Sequence, residues 1–203
     1  MKKIVLSAVF AASLLSAGVS QAAPQHAYPY WSINSGLSFS ADTIMQDNFG
    51  DSAEIDYASG YMFGTAVGAA LPSGLRLEAE LALRGNEIDT ISYGGSTYEG
   101  AGDATIFTTM LNLYYDLYTG TSFTPYVGGG VGLGMATIDA DYGGSSSSTS
   151  MAYQAGFGAR FDLTRTVALD VGYRFFGLTD SDYDGIDGDY QSHNLQFGIN
   201  FKY

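Results

Sequence analysis

Hydrophobic and polar residues alternate along most of this chain in stretches of about ten residues, with a period of two. In an extended strand successive side chains point to opposite faces, so each stretch predicts a strand with one apolar and one polar or small face. The clearest sets Leu75, Leu77, Ala79, Leu81 and Leu83 against Arg76, Glu78, Glu80, Ala82 and Arg84. The last sets Leu195, Phe197, Ile199, Phe201 and Tyr203 against Asn194, Gln196, Gly198, Asn200 and Lys202. Another sets Val167, Leu169, Val171, Tyr173 and Phe175 against Ala168, Asp170, Gly172 and Arg174. Five more follow the rule less strictly, with apolar rows beginning at Trp31, Tyr61, Phe107, Val127 and Tyr153, for a total of eight predicted strands.

The connections alternate in length. Short turns fall near Pro72-Ser73-Gly74, Tyr118 to Ser122 and Thr164-Arg165, and long ones at about 40–58, 86–103, 138–150 and 177–190. A tilted membrane strand needs about 9–11 residues, and outer-membrane barrels have short periplasmic turns and long external loops. The predicted fold is therefore all-β, an eight-stranded antiparallel up-and-down transmembrane β-barrel with both termini periplasmic. The serine-rich stretch from Gly143 to Ser150 reads as a mobile, low-complexity loop.

Volume decides which face is outside. An eight-stranded barrel has an interior only just wide enough for side chains. The apolar rows are bulky and aromatic, whereas the opposite rows are rich in glycine, as in Gly128, Gly130, Gly132 and Gly134. Small and polar residues are expected inside and the bulky rows against lipid, the reverse of a soluble lipocalin-like barrel. Aromatics near strand ends, including Trp31, Phe39, Tyr61, Phe161 and Tyr203, suit interfacial girdles.

The first residues address the compartment. Lys2 and Lys3 precede an apolar run from Ile4 to Ala17 and the small residues of Ser20-Gln21-Ala22. This is the layout of a secretory signal peptide, residues 1–22, with cleavage expected after Ala22. The barrel domain is then residues 23–203, about 180 residues, with no second domain read in it. Cysteine is absent, so neither disulfides nor thiolate metal sites are expected. A formal net charge of −13 argues against nucleic acid as a partner.

Several segments resemble a known family. Asn112-Leu113-Tyr114-Tyr115-Asp116-Leu117 is followed by Pro125-Tyr126-Val127-Gly128-Gly129-Gly130-Val131-Gly132, Tyr153-Gln154-Ala155-Gly156-Phe157-Gly158 and Leu169-Asp170-Val171-Gly172-Tyr173-Arg174. In this order they resemble the outer-membrane β-barrel family of opacity proteins and bacterial surface antigens, which shares the architecture of the OmpA-type transmembrane domain. Phe201-Lys202-Tyr203 looks like the terminal aromatic signature read by the barrel-assembly machinery. The resemblance implies location and fold rather than a reaction. No peptidoglycan-binding domain is expected after the barrel, so the resemblance does not imply a tethering role.

Charge is segregated along the chain. The long connections hold Asp42, Asp47, Asp51, Glu54 and Asp56; Glu87, Asp89, Glu99 and Asp103; Asp139 and Asp141; and Asp180, Asp182, Asp184, Asp187 and Asp189, with no lysine or arginine among them. Such loops either present an anionic surface to a ligand or simply stay solvated. Asp180, Asp182, Asp184 and Gly185 match the start of a calcium loop, but Gln191 stands where the bidentate glutamate belongs. No metal or cofactor is expected. On the inward parity Arg76, Arg84, Arg160, Arg174 and Lys202 share a face with Glu78, Glu80, Asp116, Asp162 and Asp170. Buried charge requires pairing, so an interior salt-bridge network that plugs the lumen is expected.

No catalytic residue emerges. Beyond the leader the histidines are His26 in the N-terminal tail and His193, which has the parity of Leu195 and Phe197 and so faces lipid. The His-x-Ser spacing of lipid A deacylase barrels is missing, because Leu195 and Gln191 flank His193 at two residues. The expected protein is a non-enzymatic, monomeric surface protein serving envelope integrity and adhesion. Its partners would be outer-membrane lipid, lipopolysaccharide, the assembly machinery during biogenesis and a host or surface ligand at the loops. A narrow porin-like channel is the alternative, and a lipid-modifying enzyme the third reading.

Overall fold

The first and last long strands of the chain pair with each other, and this closes the sheet. In the computed structural model the backbone is described for residues 26–40, 43–46, 52–57, 59–93, 96–99, 102–140, 144–183 and 186–203, and side chains for those outside 43–57, 87–102, 138–146 and 180–189. The strands are β1 (Tyr28–Ser40), β2 (Thr43–Gln46), β3 (Ser52–Tyr57), β4 (Gly60–Ala70), β5 (Leu75–Tyr93), β6 (Ser96–Glu99), β7 (Gly102–Asp116), β8 (Phe123–Ala140), β9 (Gly144–Asp162), β10 (Val167–Tyr183) and β11 (Ile186–Lys202). Each of β1, β4, β5, β7, β8, β9, β10 and β11 pairs antiparallel with the next, and β11 returns to β1 from Tyr30↔Lys202 to Ser40↔Ser192. Among the described residues this is an eight-stranded closed barrel, as the alternation predicts. Closure removes every strand edge from the apolar medium, where an unpaired backbone group would cost several kcal/mol.

Three tight turns lie at one end, and local chemistry explains them. Between β4 and β5 the Gly74 N–H donates to the Leu71 carbonyl at 3.1 Å and the Leu71 N–H to that of Leu75 at 2.8 Å. Pro72 supplies the fixed φ of the first corner residue, and Gly74 closes the turn at φ +89°. Between β9 and β10 the Thr164 hydroxyl accepts from the Val167 N–H at 3.0 Å. The start of β1, the end of β11 and these turns share one end, the one where outer-membrane barrels carry their short periplasmic turns.

At the other end the strands run farther than expected. The β8–β9 ladder continues through Asp139↔Ser145 to Ala140↔Gly144, so the serine run is paired strand rather than loose loop. β10 and β11 likewise stay paired to Tyr183↔Ile186, after an irregularity between Leu178 and Ser181. In the first and second connections β2 pairs β3, β3 pairs β5, and β6 folds back on β5. Backbone hydrogen bonding explains these extensions, because ladder pairing satisfies N–H and C=O groups whatever the side chains are. The acidic side chains of the loops lie outside the described residues, except for exposed Asp103, and so does the Asp180, Asp182 and Asp184 motif. Residues 1–25, which contain the expected signal peptide, also lie outside them.

The faces fall as volume requires. Leu77, Leu111, Val131, Phe157 and Phe197 are exposed on the outer wall, while Arg76, Glu80, Asn112, Gln154 and Arg174 are buried within. The interior nevertheless departs from the expectation of small and polar residues. Tyr30, Met62, Met110, Tyr114, Tyr126 and Phe176 are all enclosed there. Glycines on facing strands make their room: a β-carbon at Gly158 would sit 2.5 Å from the Tyr126 hydroxyl oxygen, and one at Gly172 2.7 Å from it. Gly158 and Gly172 thus form a socket for the inward Tyr126 ring.

Candidate functional site in the lumen

Four of the five expected inward cations, Arg76, Arg84, Arg160 and Arg174, are buried in the lumen. They stand on β5, β9 and β10, on the face that period-two alternation turns away from lipid. Low on the periplasmic side, the Asp116 carboxylate bridges two of them. It accepts from Arg76 Nε at 3.2 Å on one oxygen and from Arg160 Nη2 on the other. Arg76 Nη1 also donates to the Tyr30 hydroxyl at 3.1 Å, and that hydroxyl donates onward to Glu78 Oε2 at 2.6 Å. The Arg76 guanidinium lies over the Tyr114 and Tyr126 rings, 4.4 and 4.9 Å from their centroids, a cation–π arrangement strengthened by desolvation.

The middle layer is continuous with this one. Arg174 Nη1 donates to Glu80 Oε2 at 2.5 Å from across the barrel. Asn112 Nδ2 donates to Glu78 Oε1 at 3.2 Å and to Glu80 Oε2 at 3.1 Å, and Gln154 Nε2 donates to Asn112 Oδ1 at 2.7 Å. Side chains of β1, β5, β7, β9 and β10 are joined in this way. Asp170 takes a different partner, accepting from the Tyr126 hydroxyl at 2.7 Å. Lys202 and Asp162 pair with each other at 2.5 Å, but at the partly exposed periplasmic mouth rather than within the buried layers, because they end the last and sixth barrel strands.

Toward the extracellular side the character changes. Ile106, Met110, Ala136, Ala152, Phe176, Leu178 and Tyr190 form an apolar cluster inside the barrel. Arg84 lies against it, with its guanidinium 3.9 Å from the centre of the Phe176 ring and Nη1 donating to Thr108 Oγ1 at 3.0 Å. The sequence reading missed this cluster. The parity that turns Phe175 outward places Phe176 inward, but no inward apolar cluster was drawn from it, and Tyr190 falls in a segment read as loop. The apolar parity of Ile106, Met110 and Phe176 was the available signal.

His193 takes the outward, exposed position expected of it. Its Nδ1 lies 2.6 Å from the Tyr173 hydroxyl, and its ring packs against Tyr173 and Phe175. At the periplasmic end a cavity of about 430 Å³ opens below the lumen network, with Arg160, Arg165, Asp162 and Lys202 in its wall. Burial pushes the nearby Tyr118 phenol, which lies beyond the end of β7, above its ordinary range, with further effect from Tyr28. It is therefore a neutral hydroxyl at any physiological pH.

A closed antiparallel barrel with apolar side chains outward and paired charge inward defines an integral protein of the bacterial outer membrane. The chain belongs to the outer membrane protein beta-barrel domain family, which it matches over residues 8–202. It is 32% identical to the outer membrane protein PagN of Salmonella typhimurium over 116 residues, 50% of this chain and 48% of PagN. The match thus spans about half of PagN's length. It is 26% identical to RP828 of Rickettsia prowazekii, a protein whose name proposes it as an adhesin, over 99% of both chains. Neisserial surface protein A has the same fold, with a TM-score of 0.59 at 20% identity, covering 85% of this chain and 97% of that one.

Proposed function

We propose that this protein is a non-enzymatic surface protein of the adhesin type, a barrel closed to solutes that holds its extracellular hairpins rigidly above the membrane. The observation that carries this reading is the cross-lumen network, in which Asp116, Glu78 and Glu80 are bound by arginines and amides from strands on opposite walls. Conduction requires a continuous water column. Opening one here would strip buried guanidiniums of their partners, at a cost of several kcal/mol for each broken pair. The apolar cluster around Phe176 would be a second barrier.

The extended, paired hairpins support a role in display, since a rigid scaffold carrying variable connections is a common basis for recognition. The similarity to RP828 along its whole length favours adhesion over other surface roles. The acidic residues of the connections would present an anionic face to a host or surface ligand, and lipopolysaccharide and outer-membrane lipid would surround the wall. Closure, which leaves no strand edge to pair, supports a monomer. His193 supports the non-enzymatic reading, because its ring partner is Tyr173 on the lipid-facing wall.

Single-channel recording of the refolded protein in a planar bilayer at neutral pH tests the reading. A silent bilayer is expected. Steady openings altered by changing Arg76 or Glu80 would establish a porin-like path in its place. Displayed on a non-adherent bacterium, the barrel should confer attachment that is lost when its long hairpins are shortened.

A further inference from the structure

Beyond Lys2 and Lys3 the chain has six lysines and arginines, and three of them, Arg160, Arg165 and Lys202, line the periplasmic cavity. Among the side chains of the same wall one is a carboxylate, Asp162, which Lys202 engages at 2.5 Å. In a protein with a formal net charge of −13, this is a local reversal of sign.

Arg160 is 2% exposed and reaches the cavity from β9. Its Nη2 is bound to Asp116, an anion it shares with Arg76, while Nε and Nη1 have no hydrogen-bond partner among the described residues. A buried guanidinium with unused donors is costly unless an acceptor reaches it. Arg165 stands on the tight turn between β9 and β10, and the hydroxyls of Thr121, Thr124 and Tyr118 complete a wall rich in donors.

We infer that the periplasmic mouth of the barrel is an oxyanion site that takes a phosphate group. A tetrahedral phosphate offers more acceptor oxygens than a carboxylate, matching donors that approach from Arg160, Arg165 and the threonines on several sides. The cavity, at about 430 Å³, has room for a small phosphate ester or a lipid headgroup. Two sources share this chemistry: the phospholipids of the inner leaflet and soluble phosphate esters of the periplasm.

The test uses isotope-labelled refolded protein in octyl glucoside micelles, which contain no phosphate, and follows the amide resonances of Thr121, Thr124 and Thr166. One arm titrates inorganic phosphate against chloride at matched ionic strength. The other dopes the micelles with phosphatidylglycerol, with diacylglycerol as the phosphate-free control. Saturable shifts in the first arm support the site with a soluble source, and shifts in the second alone support it with a lipid source. Arg165→Gln, on an exposed turn, should weaken binding about threefold, and Arg160→Met by more than about tenfold. Should Arg160→Met fail to fold, Arg165→Gln decides. No saturable shift in either arm, or unchanged affinity in Arg165→Gln, overturns the proposal.

Discussion

Glu80 on β5 and Arg174 on β10 meet in the middle of the lumen at 2.5 Å, joining strands that are not neighbours in the barrel wall. Their bond ties opposite walls together where no backbone ladder can. Removing the carboxylate with Glu80→Ala leaves a buried guanidinium without its anion and should destabilise the barrel by about 3–5 kcal/mol. Replacing both residues, Glu80→Leu with Arg174→Met, should recover most of that loss. Urea unfolding of both single variants and the double variant in lipid vesicles measures the difference, and a double-variant loss equal to the sum of the single losses would show that the pair is not coupled.

Asp116 serves two arginines, whereas Glu78 is bound to Arg76, Tyr30 and Asn112. Asp116→Ala should therefore cost more than Glu78→Ala, by about 1–2 kcal/mol. The same unfolding assay gives the order, and the reverse order would mean that Arg76 and Arg160 find other acceptors.

Gly158 and Gly172 make the space that Tyr126 occupies. Gly172→Ala, where the Tyr126 hydroxyl oxygen is the one atom closer than 3 Å to a new β-carbon, should destabilise by about 1–3 kcal/mol through overpacking. Combined with Tyr126→Leu it should cost much less than the sum of the two single changes. Additive losses in a double-mutant cycle would contradict the socket arrangement.

Leu111 projects from the outer wall at 69% exposure. Leu111→Arg should lower stability by about 2–4 kcal/mol if the residue sits near the bilayer midplane. Thr108→Ala, one wall-thickness away on the lumen side, should not show the same dependence on bilayer thickness. Folding yields into vesicles of short- and long-chain lipids separate the two.

Much of this architecture was legible in the sequence because lipid and lumen impose opposite demands on alternate residues. Leu75 to Arg84 declares its register without reference to any other strand. Partner choice was not legible in the same way. That Arg160 reaches Asp116, or Arg174 reaches Glu80, depends on strand stagger and tilt, which alternation leaves open. The upper strand segments were hidden for another reason. Beyond the membrane no apolar face is required, so Ser145 to Ser150 can be strand with no hydrophobic period to reveal it. The charged residues at the mouth, Asp162 and Lys202, had the right parity but the wrong depth, since parity gives facing and not height.

The pairing of Trp31 with Phe201, whose rings stack at 5.4 Å, has a consequence for how the molecule comes into being. These partners stand on the first and last strands of the barrel, so no fragment lacking either strand closes the cylinder. A chain lacking its final strand leaves β1 and β10 each with an open margin, and nothing upstream can substitute. Joining the first and last strands also demands the largest loop closure within the barrel, which is slow. The barrel must therefore stay unsealed until β11, a strand of seventeen residues, pairs with β1 as the latch that makes the rest permanent.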